Sequence, residues 1–226
     1  MLDRAKVELG SYGYSGQHQQ RPANADGGLF RRQWFKRWDV LPPLQDEWMA
    51  VVDCSFKDAA TSDFVVVQVW CRLKAQRYLV QSYRARLSFS GTCALIRRAV
   101  AEWPKVHCVL VEDKANGPAV IDALKGEVPG VIGFNPGSNS KEERAASVSP
   151  LVEAGQVFLP ADASGWEGPA GDKLEAFLHE ACVFPRGAND DQVDCLSMAL
   201  LRWRQPTANA KVMPIASRAK STRLEI

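Results

Sequence analysis

The chain has 226 residues, 46% of them hydrophobic, with 28 Lys and Arg against 26 Asp and Glu, a length suited to one large domain or one domain with an arm. No apolar run approaches the roughly 20 residues that span a bilayer, and the N-terminus lacks the apolar core of a signal peptide. The six cysteines form no Cys-x-x-Cys pair and mostly lie in apolar runs, which disfavours a zinc site and favours reduced core thiols in a cytoplasmic protein.

Residues 1–47 show little regular pattern and are predicted to form a linker or arm. The stretch 12–22 is rich in Gly and Gln, and the segment 29–38 mixes four basic residues with four aromatic ones. Such a segment is typical of a contact with nucleic acid. It is equally typical of an arm whose aromatic side chains pack on a domain.

A dense pattern of structure begins at Trp48. Three runs rich in β-branched and aromatic residues, 48–56, 63–71 and 77–83, are separated by short polar turns and predict an antiparallel three-stranded meander. Beyond them, helical patterns at 90–103, 118–125, 141–153, 171–183 and 189–204 alternate with strand-like runs at 107–113, 130–134 and 156–160. This order predicts a mixed α/β sheet over 48–205. The basic stretch 206–226 has no pattern and predicts a flexible tail.

Acidic residues follow two of the predicted strands and begin the last predicted helix. They are Asp53, the pair Glu112–Asp113, and the group Asp190, Asp191 and Asp194. If the strand that ends near Asp53 and the strand that ends at Glu112–Asp113 are parallel neighbours, their C-terminal ends meet at one edge of the sheet, where open α/β sheets build their sites. Each cluster alone also fits a structural role, because acids cap helices and end strands at turns. Together they predict a convergent carboxylate site.

Oxygen ligands without nearby His or Cys are the ligands of hard cations such as Mg²⁺ or Mn²⁺. Two such ions together assist the attacking water and the leaving oxygen of a phosphodiester. The carboxylates therefore predict hydrolysis of nucleic acid. The chain has no Gly-x-x-x-x-Gly-Lys-Ser/Thr loop and no Gly-x-Ser-x-Gly elbow, which argues against a nucleoside triphosphatase and a serine hydrolase.

Five segments, taken in order, resemble the C-terminal nuclease half of the bacteriophage terminase large subunit. They are 14–22 (YSGQHQQRP), 27–30 (GGLF), 111–118 (VEDKANGP), 149–160 (SPLVEAGQVFLP) and 184–194 (FPRGANDDQVD). The resemblance implies a ribonuclease H-like fold and a two-metal endonuclease that cuts concatemeric viral DNA. It also implies an isolated nuclease half, whose residues 1–47 derive from the junction with a missing ATPase domain.

The resemblance assigns the metal-binding acids by position. The first falls on Asp53 and the second on Glu112 or Asp113. The third falls on Asp191 or Asp194, in that order, with Asp190 last. Some relatives carry His just before the paired Asp, where Ala188 or Asn189 stands here, so no His-assisted role is expected.

Double-stranded DNA is the implied substrate, and basic residues near the predicted sheet edge are candidates for holding its backbone: Lys57, Lys114, Lys141 and Arg144. Each is as consistent with a solvated surface charge. The implied partners are the terminase ATPase domain, the small terminase subunit and the portal protein, in the cytoplasm of an infected bacterium. Two alternatives remain open: an integrase- or resolvase-like nuclease on the same fold, and a non-catalytic DNA-binding or motor-docking module.

Overall fold

Seven strands and five helices form in the computed structural model, which describes residues 28–54 and 64–204. The strands are β1 (Lys36–Trp38), β2 (Glu47–Cys54), β3 (Val65–Leu73), β4 (Gln76–Ala85), β5 (Cys108–Glu112), β6 (Val131–Phe134) and β7 (Val157–Pro160). The helices are α1 (Phe89–Glu102), α2 (Gly117–Leu124), α3 (Lys141–Glu153), α4 (Lys173–Val183) and α5 (Asp191–Arg204). A short 3₁₀ turn, Arg32–Trp34, precedes β1.

The strands lie in one sheet in the order β1-β7-β4-β3-β2-β5-β6. β2, β3 and β4 are antiparallel neighbours, which confirms the predicted meander. β5 pairs in parallel with β2, and β6 pairs in parallel with β5. The prediction of a mixed sheet continued by parallel strands is therefore confirmed, and the strands that carry Asp53 and Glu112 are direct neighbours.

Successive side chains of the central strands point into two different cores, because a strand has a period of two. On one face, Val51 and Leu110 pack with residues of α3, α4 and α5. On the other face, Val52 and Val111 pack with residues of α1 and α2. Helices cover both faces, which explains why these strands read as nearly continuous apolar runs.

The segment predicted as an arm contributes a strand to the sheet. β1 pairs in parallel with β7, so that Lys36 lies opposite Phe158. The rings of Phe30 and Phe35 are buried, and Phe35 packs edge-on against Phe177 of α4. The aromatic residues of this segment thus pack on the domain. Residues 1–27 and 205–226 lie outside the described residues, and the proposed domain boundaries stay a prediction.

All six cysteines are free thiols within the described residues, and five of them are buried, as predicted for core thiols. Burial raises the pKa of the Cys54 and Cys195 thiols above their ordinary range. None of the described helices is long and apolar enough to cross a membrane.

Candidate functional site

Two acidic residues lie side by side where two central strands end. Val52 of β2 is the partner of Val111 of β5, so Asp53 and Glu112 stand at the same level of the parallel pair. Alternation directs both side chains to the face covered by α3, α4 and α5. Asp53 is 2% exposed, and the Glu112 side chain is 13% exposed. The predicted meeting of these two strand ends therefore occurs.

Helix α5 brings further carboxylates to the same face. Its apolar residues, including Leu196, are buried in the core beneath it. The Cys195 thiol donates to the carbonyl oxygen of Val51 at 3.8 Å, which places the helix directly on β2 beside Asp53. Asp191 and Asp194 are both buried in the first turn of this helix. An acidic residue at a helix N-terminus is favoured by the helix dipole, but burial of two requires partners.

The electrostatics of Asp53 show that these acids converge. Burial raises the pKa of Asp53 well above its ordinary value. The negative charges of Asp194, Glu112 and Asp191, in that order of effect, raise it further, while Lys141 opposes them. Asp194 thus raises the pKa of Asp53 more strongly than Asp191 does.

Two cations from α3 lie among the carboxylates. The Lys141 ammonium is 2.6 Å from Asp194 Oδ2 and 2.8 Å from Asp190 Oδ1. The Arg144 guanidinium is 3.0 Å from Asp194 Oδ1 and 3.1 Å from Glu112 Oε1. Burial lowers the pKa of Lys141, but the charges of Asp194 and Asp190 and hydrogen bonds to both outweigh this and raise it. The cluster is therefore cross-linked by ion pairs.

Asp191 belongs to a second, adjoining network. The Arg84 guanidinium at the end of β4 is 3.2 Å from Asp191 Oδ2 and 3.3 Å from Glu180 Oε2 of α4. Burial raises the pKa of Asp191 to about 6, Glu180 adds to this shift, and Arg84 opposes it. Sequence reasoning missed Arg84 and Glu180, because nothing in the local pattern indicates which acid either residue meets.

The remaining predicted residues lie in different surroundings. Asp113 is exposed, and as the next residue after Glu112 it is directed to the other face of the sheet. Asp190 is partly exposed and faces Lys141. Lys114 is exposed beyond β5, whereas Arg144 is 4% exposed and lies inside the cluster rather than at the surface. Lys57 lies outside the described residues.

The donor set fits a hard divalent cation in its chemistry, because carboxylate oxygens are its preferred ligands. Within the described part of the chain, Asp194 and Glu112 are paired with Lys141 and Arg144, and Asp53 lies buried close enough to feel the charges of Asp194 and Glu112. Within residues 28–54 and 64–204, however, no group of three or more acidic, His or Cys side chains is already spaced to hold an ion. Both oxygens of Asp194 instead face Lys141 and Arg144.

The sequence matches the model of one protein family, described as the terminase RNaseH-like domain, over residues 50–202. The match extends over more than half of the chain and includes β3–α4 entirely, together with all of the acidic residues described above. It identifies the mixed sheet as ribonuclease H-like.

Solved structures of the same fold support this classification. The large terminase of one thermophilic bacteriophage superimposes with a TM-score of 0.61 at 11% identity, over 89% of this chain and 50% of that chain. The large terminase nuclease of another thermophilic phage, G20c, was determined with bound magnesium. It superimposes with a TM-score of 0.52 at 18% identity, over 79% of this chain and 99% of that chain. The human cytomegalovirus terminase nuclease domain superimposes with a TM-score of 0.52 at 11% identity, over 76% of this chain and 94% of that chain.

At these identities, the likeness to solved structures establishes the fold alone. This chain spans about half the length of the first of these large terminases and nearly the whole length of the separate nuclease structures. A comparison with curated proteins gave no match.

Proposed function

Because the chain belongs to the terminase RNaseH-like domain family, we propose that it is a divalent-metal-dependent endodeoxyribonuclease of a viral genome-packaging motor. In this role it cuts concatemeric double-stranded DNA by hydrolysing phosphodiester bonds. The likeness to a large terminase and to a separate terminase nuclease supports the packaging role.

The observation that carries the proposal is the burial of carboxylates from three separate elements at one place. Asp53 comes from β2, Glu112 from β5 and Asp194 from α5. A buried carboxylate is costly, and bringing several together adds repulsion. In a non-catalytic docking module, the acids would only cap helices and end strands, and each of these roles requires a single acid at the surface. Such a module does not account for several buried carboxylates at one place.

Asp53, Glu112 and Asp194 are the residues that would hold two ions of Mg²⁺ or Mn²⁺, with Asp191 beside them. In a two-metal site, the ions activate the attacking water and stabilise the leaving oxygen. The related G20c nuclease has been determined with bound magnesium and with bound zinc, which supports the use of a divalent ion. Asp113 and Asp190 stay outside this proposed set.

The two cations of α3 have different parts in the proposal. Arg144 is buried and bridges Glu112 and Asp194, so it keeps these two carboxylates oriented. The Lys141 side chain is 44% exposed, so it is able to turn outward and leave one oxygen of Asp194 to an ion. Neither residue is then a primary contact for DNA while it holds an acid.

Basic residues hold the DNA backbone in this proposal. Lys114, which is exposed just after β5, is the candidate among the described residues, and Lys57, which lies outside them, stays a candidate from the sequence. The terminase ATPase domain, the small subunit and the portal are the proposed partners, and the cytoplasm of an infected bacterium is the proposed site of action. These follow from the likeness to large terminases, of which this chain spans about half.

The experiment is cleavage of supercoiled plasmid by wild type and Asp53→Asn in Mg²⁺, in Mn²⁺ and in EDTA. We expect nicked and linear products from the wild type with a divalent ion only, and none from Asp53→Asn. Asp122→Asn, which removes an exposed acid of α2, is the matched control and should cleave like the wild type.

Equal cleavage by wild type and Asp53→Asn would falsify the assignment. Linear, supercoiled and four-way DNA in the same assay separate the proposed nuclease from a resolvase-like one, which prefers the branched substrate. Absence of cleavage, together with no metal-induced rise in melting temperature, would favour the non-catalytic docking module.

A further inference from the structure

The first turn of α5 is capped from another helix. The backbone N–H groups at a helix start lack partners within the helix, and a side chain of the residue before it usually accepts from them. In this protein, Glu180 of α4 does so instead. Its Oε1 accepts from the backbone N–H of Gln192 at 2.7 Å and from that of Val193 at 3.3 Å.

This arrangement releases the acids of α5 from capping. The Asp190 carboxylate faces Lys141 at 2.8 Å, and the Asp191 carboxylate faces Arg84 at 3.2 Å. The backbone carbonyl of Asp190 still begins the helix by accepting from the N–H of Asp194 at 2.9 Å. The side chains of Asp190 and Asp191 are therefore oriented by Lys141 and Arg84, and not by hydrogen bonds to the N–H groups of the helix start.

Glu180 is itself fixed from several sides. It is 5% exposed, and its Oε2 accepts from Gln192 Nε2 at 2.9 Å and lies 3.3 Å from Arg84. The carbonyl of Gln192 in turn accepts from the buried Gln68 side chain of β3 at 3.3 Å. Gln68 accepts from the Trp70 indole at 3.0 Å. A buried polar network thus joins α4, the start of α5 and the sheet.

We propose that Glu180 is the positioning residue of the site. It fixes the first turn of α5 by accepting from two backbone N–H groups, and it orients Asp191 through Arg84, which contacts both carboxylates. The consequence for metal binding rests on the proposed function, whereas the capping itself does not. Glu180 touches neither the substrate nor the reacting atoms in this role. Mutation of a group that orients a metal ligand without contacting the metal commonly lowers metal affinity or activity by about 10- to 100-fold.

The test compares Glu180→Ala, Glu180→Gln and a matched control, Glu175→Gln, an exposed acid on the same helix. Amide hydrogen exchange of Gln192 and Val193 is measured in metal-free protein, and Mn²⁺ affinity is measured by calorimetry. We expect Glu180→Ala to speed exchange at these two amides by about 5- to 10-fold. We expect it to weaken Mn²⁺ binding by about 10-fold or more. Glu175→Gln should leave both unchanged.

Compared with Glu180→Ala, Glu180→Gln should restore most of the exchange protection of the two amides and most of the Mn²⁺ affinity. The reason is that its amide oxygen still accepts from the two backbone N–H groups. Wild-type exchange at Gln192 and Val193 in Glu180→Ala overturns the proposal. So does a glutamine variant no better than alanine, which would indicate a role for the charge alone. If the wild type neither binds Mn²⁺ nor cuts DNA, the proposed function fails, while the exchange data still decide the capping role.

Discussion

Lys141 Nζ lies 2.6 Å from Asp194 Oδ2, so that a side chain of the protein occupies the place beside this carboxylate that a metal ion would use. In the proposed metal site, a lysine and a divalent cation would therefore compete for the same oxygen. The ammonium is partly exposed and the carboxylate is 2% exposed at its side chain, so the lysine is the partner that is free to leave.

We therefore predict that Lys141→Met tightens Mn²⁺ binding by about 3- to 10-fold, equivalent to roughly 1 kcal/mol. Methionine keeps much of the apolar stem and removes the competing charge. Calorimetry at fixed ionic strength measures the effect, and Lys125→Met, an exposed lysine after α2, is the control. Unchanged or weaker binding in Lys141→Met would mean that the ammonium supports the ion instead of competing with it.

Arg144 is predicted to be a structural requirement of the metal-free site. Its replacement by methionine leaves Glu112 and Asp194 without the guanidinium that bridges them. Removing one partner of a buried ion pair typically costs about 3–5 kcal/mol. We expect a loss of this size in the free energy of unfolding in EDTA, measured with urea. Saturating Mn²⁺ should recover part of it, because an ion replaces the lost positive charge.

The control for Arg144 is Arg97→Met, which breaks an exposed ion pair with Glu127. Such surface pairs are worth about 0–1 kcal/mol, so its effect should be small. If both variants lose the same stability, or if Mn²⁺ does not help Arg144→Met, the cluster is not held together by Arg144 in the way described.

Glu112 and Asp113 are adjacent in sequence but are predicted to differ sharply in function. Alternation along β5 directs Glu112 to Arg144 and Asp113 to the opposite face. We expect Glu112→Gln to lower metal affinity and plasmid cleavage by about 10- to 100-fold or more. Asp113→Asn should retain cleavage close to that of the wild type. The reverse result would place the second acid at 113.

The elements of the fold were largely predictable because hydrophobic periodicity is a local property. Strands β2–β7 and all five described helices lie within two residues of their predicted bounds. Helix α3 matches at both ends, because Ser140 and Glu143 form a reciprocal cap and Gly155 follows in a left-handed conformation at φ 68°. Strand β1 was missed, since three residues give no detectable period and its partner β7 is distant in sequence.

The candidate site was predictable only in part. The meeting of Asp53 with Glu112 follows from parallel pairing, and the period of two in a strand places Glu112 and Asp113 on opposite faces. The roles of Arg84, Arg144 and Glu180 could not be predicted in this way. They depend on which helix lies over which strand end, and no local pattern encodes that tertiary arrangement.

Gly117 is predicted to be essential for the position of Glu112. A Cβ at residue 117 would lie 1.7 Å from the Glu112 carbonyl oxygen, so alanine forces the end of β5 to move. Overpacking of this kind commonly costs about 1–3 kcal/mol, and we expect Gly117→Ala to lose at least this much in urea unfolding and to bind Mn²⁺ more weakly.

Gly126→Ala is the matched control for Gly117→Ala, because nothing lies within 4 Å of a Cβ at residue 126. Replacing a glycine by alanine without strain typically leaves the free energy of unfolding unchanged or raises it by about 0.4–1 kcal/mol, because alanine reduces the entropy of the unfolded chain. Because α2 begins directly at Gly117, circular dichroism should accompany both variants to separate a local shift from loss of the helix. Wild-type stability together with wild-type Mn²⁺ affinity in Gly117→Ala would contradict the close approach of α2 to Glu112.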